Sequence, residues 1–305
     1  MNSARRGFSF TELIVVLAIL GLIGSTIGLT MVRQQRFYRG ATEILSVRQG
    51  VRDAMEVLST DIRGMSAADT LRLLADSAIE LFSNVGTSIA CRSFGAGDVG
   101  LPASRSPGNT FSAFLAQPDT GDLALFYRDS IDAGDRWERH RISGFSSSSL
   151  ASSCPPSSGF SQQADLDMGA KGFLVSLTDP LSAAVKQGAP VRFVRRGRYS
   201  LYRAADGAWY LGYRRCNAMG ASACGAIQPL SGPYRAYSAN PRATGLLLEY
   251  FDRLGRRVDP ASPLTVARVD ITARTESPQR ILVEGRAKAF ADSATISLAI
   301  RNRPR

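Results

Sequence analysis

One histidine, His140, serves the whole 305-residue chain, and lysine is almost as scarce, with three against thirty-four arginines. A single imidazole excludes the usual histidine-rich metal sites. No G-x-S-x-G elbow is present, no phosphate-loop glycine pattern precedes a lysine, and no cysteine lies in a nucleophile motif. The chain is therefore read as having no catalytic residues, no cofactor and no bound metal. Only four cysteines occur, and none precedes Cys91, which removes lipoprotein anchoring. None forms a C-x-x-C pair, which argues against zinc. Asp129, Asp132 and Asp135 lack the alternate-residue spacing of a calcium loop and read as a polar turn. No repeat of fixed period is present, and no proline interrupts Leu13–Val32.

That proline-free run is the strongest positive signal. Arg5-Arg6-Gly7 and Phe8-Ser9-Phe10-Thr11-Glu12 lead into twenty uncharged, mostly apolar residues closed by Arg33. About 20 apolar residues match the roughly 30 Å hydrocarbon core of a bilayer, whereas a cleaved secretory signal has an apolar region of about 7–15. Length favours a retained anchor, and Gly24-Ser25-Thr26-Ile27-Gly28 is a poor signal-peptidase site. Glu12 stands at the mouth of the span. An ionisable group there is either seated in the headgroups or functional. Gly21, Gly24 and Gly28 follow the small-residue spacing that lets helices approach closely.

The string Gly7-Phe8-Ser9-Phe10-Thr11-Glu12-Leu13-Ile14-Val15-Val16-Leu17 resembles the signal of type IV pilins and type II secretion pseudopilins. The resemblance implies a leader, residues 1–7, cut by a prepilin peptidase between Gly7 and Phe8, then methylation of the Phe8 amine. Glu12 would pair with the N-terminal amine of a neighbouring subunit, since a carboxylate in low dielectric is tolerable mainly beside a cation. The implied partners are the prepilin peptidase/methyltransferase, other pilins or pseudopilins, and an inner-membrane assembly platform. The implied location is the inner membrane, single-pass with the N-terminus cytoplasmic, and then a pilus or pseudopilus. Many major pilins carry a proline within the span, and this chain departs from them.

Residues 8–32 are expected to form the transmembrane half of one long helix, and 33–82 an amphipathic half followed by a second short helix. Phe37, Ala41, Ile44, Val51, Met55, Leu58, Ile62 and Met65 make the apolar stripe of the first. Leu71, Leu74, Ala78 and Leu81 suggest the second, over Ala67–Phe82. Residues 83–305 are expected to form a β-rich head outside the membrane, giving an α+β, pilin-like fold. Strands are expected at Leu123–Tyr127, Trp137–Ile142, Phe173–Leu177, Val191–Arg195, Ser200–Arg203, Trp209–Tyr213, Leu246–Phe251, Thr265–Thr275 and Thr295–Arg301. Asp206-Gly207 should turn the hairpin between Leu201 and Tyr213. Ser83 to about Ala170, including Ser146–Ser149, reads as an elaborated loop or insertion. His140, between Arg139 and Arg141, reads as a solvated strand residue. The C-terminal half resembles PilW-like minor pilins and J-type minor pseudopilins.

In an oxidising compartment Cys216 and Cys224, flanking a short Gly/Ala-rich excursion, are expected to pair locally and leave Cys91 with Cys154; four reduced thiols is the alternative. Removing Arg5 and Arg6 leaves 35 basic against 26 acidic residues, or +9. Arg195, Arg196 and Arg198, among Phe193, Tyr199 and Tyr202, are candidate nucleic-acid contacts. Arginine-rich composition alone accounts for them equally well. The sequence thus supports a minor pilin or pseudopilin, structural and priming, at or near a filament tip. The alternative is a filament-displayed module binding DNA or a surface.

Overall fold

A computed structural model describes residues 10–65, 71–94, 97–104, 111–129, 136–217, 224–260, 262–283 and 286–300. Residues 1–49 with 276–292 form one compact unit, and residues 50–275 with 293–305 form another. The architecture is α+β and pilin-like, a long N-terminal helix followed by an antiparallel sheet.

Helix α1 runs Phe10–Gly64. It contains an apolar stretch long enough to cross a membrane, with a mean hydropathy of 2.4. Its few polar side chains fold back onto the helix. Ser25 Oγ donates to Leu22 O at 2.8 Å, Thr26 Oγ1 to Ile23 O at 2.8 Å and Thr30 Oγ1 to Thr26 O at 2.8 Å. Each hydroxyl thereby satisfies itself without water, as a helix in hydrocarbon requires.

The strands follow in chain order: β1 Leu73–Leu74, β2 Ala78–Ile89, β3 Arg92–Phe94, β4 Asp98–Leu101, β5 Ala113–Phe114, β6 Leu123–Arg128 and β7 Arg136–Ser149. Two short helices come next, α2 Leu150–Ser153 and α3 Gln163–Asp167. Then come β8 Lys171–Leu177, β9 Pro190–Arg203, β10 Trp209–Arg215, β11 Gln228–Tyr234, β12 Leu246–Phe251, β13 Arg268–Val283 and β14 Arg286–Ala299. Strand β9 is the spine of the second unit. One of its edges carries β2, from Ala78↔Ser200 to Ile89↔Pro190, and the other carries β6 and then β10. Val191–Arg195 and Ser200–Arg203 are thus one strand. Between β9 and β10 the backbone closes through Ala204 N–H to Ala208 O at 2.9 Å, with Gly207 at φ 84°. Positive φ is what the glycine of Asp206-Gly207 supplies.

The two largest of four apolar clusters among the described residues of the second unit form its core. In one, Val51, Ala54, Leu58, Ile62 and Met65 of α1 pack with Ile79 and Leu81 of β2, Leu248 of β12, and Val269, Ile271 and Ala273 of β13. Val51, Leu58, Ile62 and Met65 belong to the expected stripe; Ala54 joins them, Met55 is only partly buried, and Phe37, 71% exposed, falls outside the packed face. The other joins Val85, Val99, Leu101, Phe126, Ile142, Val175, Val191 and Phe193, and no residue of α1 enters it.

Three expectations change here. Ala67–Phe82 forms no second helix: residues 66–70 lie outside the described set, and β1 and β2 occupy the rest. Ile79, Glu80, Leu81 and Phe82 are all buried, and a strand covered on both faces loses the period of two that would betray it. The stretch from Ser83 to Ala170 is not a loop but holds most of β2, all of β3 to β7, and α2 and α3. Ser146–Ser149 is the end of β7, paired with Leu174, Phe173, Gly172 and Lys171 of β8. The strand expected from Thr265 begins at Arg268 and runs on to Val283.

Candidate assembly site and the head

The apolar run places its residues on a helix that the other described residues leave uncovered. Every residue from Phe10 to Arg39 is exposed, including Phe10 at 76% and Leu22 at 69%. Burying side chains of this size yields about 1.5–3 kcal/mol each, so the surface demands lipid or protein neighbours. Gly21, Gly24 and Gly28 face open space, where an added Cβ would meet nothing within 4 Å. Glu12 lies in the first turn, where the exposed N–H groups favour a carboxylate. Twenty residues at 1.5 Å rise put it roughly 30 Å from Val32 along the axis. Gly7 and Phe8 lie outside the described residues, as do Asp132 and Asp135.

A family model described as the prokaryotic N-terminal methylation motif matches residues 2–28. The chain carries the type IV pilin signal. With the long apolar helix behind it, the motif supports a prepilin-like substrate of pilin or pseudopilin kind, and a structural subunit rather than an enzyme. It is consistent with membrane anchoring and pilus display. No curated protein matches this pilin-like chain, and no solved structure does.

The head's basic cluster is organised inward. Glu80 of β2 lies across from Arg196 and Arg198 of β9 and accepts from Arg196 Nε at 2.6 Å and from Arg198 Nη2 at 2.7 Å. Glu80 and Arg196 are buried, their side chains 2% and 6% exposed. Asp122 takes Arg195 at 2.7 Å and Arg215 at 3.0 Å. Arg195, Arg196 and Arg198 thus all spend hydrogen bonds on carboxylates of the chain itself. A nucleic acid would have to compete with those carboxylates for the guanidinium groups.

Arg196 Nη1 also donates to Asn217 O at 2.8 Å, beside the Cys216–Cys224 disulfide. Cys91 and Cys154 form a second disulfide. The backbone at Cys154 is seated by two glycines: a Cβ on Gly100 would run into the Ser153 carbonyl, and one on Gly172 would meet Ser153 Oγ and Leu101 O.

His140 is not solvated. It is buried against the edge of the Phe126 ring, with Nε2 2.7 Å from Glu138 Oε1. Glu138 also accepts from Ser182 N–H at 3.0 Å and from its hydroxyl at 2.5 Å. Although burial opposes ionisation, the Ser182 and His140 hydrogen bonds together hold its carboxyl below the usual range. In the cluster that includes α1, Tyr199 OH donates to Asp61. Burial raises Asp61 above its ordinary value, and the tyrosine hydrogen bond only partly offsets this. Burial likewise raises Tyr199, and the Asp61 charge adds to it.

Proposed function

We propose that this chain is a minor pilin or minor pseudopilin. It is cut by a prepilin peptidase between Gly7 and Phe8, methylated at Phe8, and built into a type IV pilus or type II secretion pseudopilus at or near the tip. Residues 8–32 serve as the membrane half of the helix, and the head lies outside the inner membrane. The observation that carries the reading is the methylation motif at residues 2–28 on a helix exposed from Phe10 to Arg39. Such a surface is stable in a bilayer, and after extraction it is stable only against other helices of the same kind.

Glu12 is the assembly contact. A carboxylate in low dielectric is costly to hold, and in this reading the methylated amine of the next subunit is the cation it meets. A minor role is favoured by the head, whose sheet is bulky for close lateral packing of many identical copies. The Arg195, Arg196 and Arg198 pairings give no support to DNA uptake, so the structural and priming reading is preferred.

Mass spectrometry of the membrane fraction tests processing: a mature chain beginning at methylated Phe8 is expected, and any other N-terminus refutes it. Glu12→Ala should leave cleavage and insertion intact yet lower incorporation into filaments. Unchanged piliation or secretion would remove Glu12 from the mechanism.

A further inference from the structure

The segment 276–292 carries a contact that the assembly reading does not use. It is the far part of the β13–β14 hairpin, and it groups with residues 1–49 rather than with the rest of the sheet. Near its upper end, Arg48 of α1 stands 5.9 Å above the Phe290 ring and 3.9 Å from the Asp292 carboxylate. Arg48 is almost the last helical residue of this unit, and the rest of segment 276–292 groups with the part of α1 that precedes it.

Burial along the helix locates where that coverage ends. Val47 is buried, and Ala41, Glu43, Ile44 and Gly40 are half-buried, but Arg39 and everything before it is exposed. Strand geometry agrees: four residues from Phe290 to Arg286 span about 13 Å. That distance equals about nine helical residues at 1.5 Å each. Counting back nine from Arg48 reaches Arg39. On this count Arg286 stands level with Arg39, where the apolar span has just given way to Arg33, Arg36, Phe37, Tyr38 and Arg39.

Those five residues have the composition of a bilayer interface. Phe37 and Tyr38 are 71% and 68% exposed, as aromatic anchors at headgroup level are. Arg33, Arg36 and Arg39 are exposed on the same turns. Arg280, Arg286 and Lys288, the cations of the hairpin end, are exposed as well. On the same count Lys288 lies about 7 Å and Arg280 about 10 Å from the Arg286 level toward Arg48, and Arg33 about 9 Å beyond Arg39, so two separate stretches of sequence line about 20 Å of the helix with six basic side chains. Their long stems reach several ångströms further along apolar surface.

We infer that α1 and the β13–β14 hairpin form a cationic collar that binds anionic phospholipid headgroups on the head side of the membrane. The occupant is the bilayer that α1 itself enters, selected by charge complementarity and by the level at which the hairpin ends. The collar would hold the unassembled subunit with a fixed height and tilt. It would let go when the helix is drawn out of the lipid. This inference rests on α1 spanning a bilayer.

The test uses the full chain reconstituted into vesicles of phosphatidylcholine, with or without phosphatidylglycerol, containing a headgroup-attached spin-label quencher. A fluorophore is placed in turn on Arg286→Cys, on Leu22→Cys within the span, and on Arg256→Cys in the head. Depth-dependent quenching by acyl-chain labels at position 22 reports anchoring. With anchoring intact, headgroup quenching at position 286 is expected to increase with phosphatidylglycerol and fall with salt, while position 256 stays unquenched. Arg280→Gln with Lys288→Gln should weaken the hairpin's association about twenty-five-fold, at about fivefold per basic residue near an anionic surface. Arg280→Lys with Lys288→Arg should preserve it. If position 22 is quenched but position 286 is not, or is quenched equally on neutral vesicles, the collar is refuted and the anchor stands. If position 22 is not quenched, the anchor reading falls first and the collar with it.

Discussion

Replacing Glu80 with glutamine should destabilise the head more than any other single charge change among the described residues. The substitution keeps the shape of the side chain and one acceptor oxygen, so its effect isolates charge. Glu80 neutralises two guanidiniums: Arg196, 6% exposed, and Arg198, 31% exposed. Without it Arg196, a buried cation, loses the carboxylate it meets through Nε and Nη2 and keeps its bond to Asn217 O. Removing one partner of a buried pair costs about 3–5 kcal/mol, whereas an exposed pair contributes about 0–1. For a domain of this size 1 kcal/mol moves the melting temperature about 2–4 °C, so Glu80→Gln should lower it by about 6–20 °C. Thermal and urea unfolding of the full chain in detergent would measure this. Asp252→Asn, which breaks the exposed pair with Arg256, is the control and should move it by at most a few degrees. Arg198→Gln should fall between the two, because Arg198 is partly hydrated. The reasoning fails if Glu80→Gln behaves like the Asp252 control. It also fails if Arg198→Gln costs more than Glu80→Gln.

Other outcomes follow from the same geometry. Asp61 has a folded pKa raised above 3.8, so the folded state holds its proton more tightly and stability declines as pH rises from about 4. Asp61→Asn should flatten that decline in urea titrations over pH, and an unchanged profile would refute the burial argument. Removing the Cys91–Cys154 disulfide by paired serine substitution should cost about 4 kcal/mol from its 63-residue separation. The Cys216–Cys224 disulfide, with a separation of 8, should cost about 2.5, both readable in denaturant unfolding. Gly100→Ala should cost about 3 kcal/mol, at the upper end for overpacking, because the clash is with backbone that cannot rotate away.

Legibility from sequence tracked how local each cause is. The long apolar helix and the stripe from Val51 to Met65 are readable because helical periodicity recurs within one chain segment. The β9–β10 hairpin was readable because Asp206-Gly207 lies between the two strands it joins. Strand β2 was misread as helix because both of its faces are covered, so Ile79 to Phe82 shows no alternation. Its partner β9 lies more than a hundred residues away, and nothing near Glu80 announces Arg196. A carboxylate flanked by Ile79 and Leu81 was the available hint. The arginine neighbours of His140 suggest a solvated residue, yet along a strand they point to the opposite face, and the residue that matters to it is Glu138, two positions away on the same face. The basic cluster was visible as composition, but its inward pairing depends on Glu80 and Asp122, which no spacing rule connects to it.

The two charge systems of this chain do different work because their surroundings differ. Around Glu80 and Asp122 the guanidiniums meet carboxylates of the chain itself, and such pairs fix the register of β2 against β9 and hold the Cys216 loop. They are unsuited to a ligand that must come and go, since releasing Arg196 would leave Glu80 buried without its closest partner. The cations at Arg33, Arg36, Arg39, Arg280, Arg286 and Lys288 are exposed, so an outside anion can meet them at little desolvation cost. Glu12, at the other end of the same apolar span, has the reverse charge and is exposed as they are. A helix with a carboxylate at one end, cations at the other and about 30 Å of apolar surface between is matched to a bilayer at rest. On the assembly reading proposed above, that carboxylate meets the amine of the subunit ahead, and building the filament exchanges lipid for protein around the span.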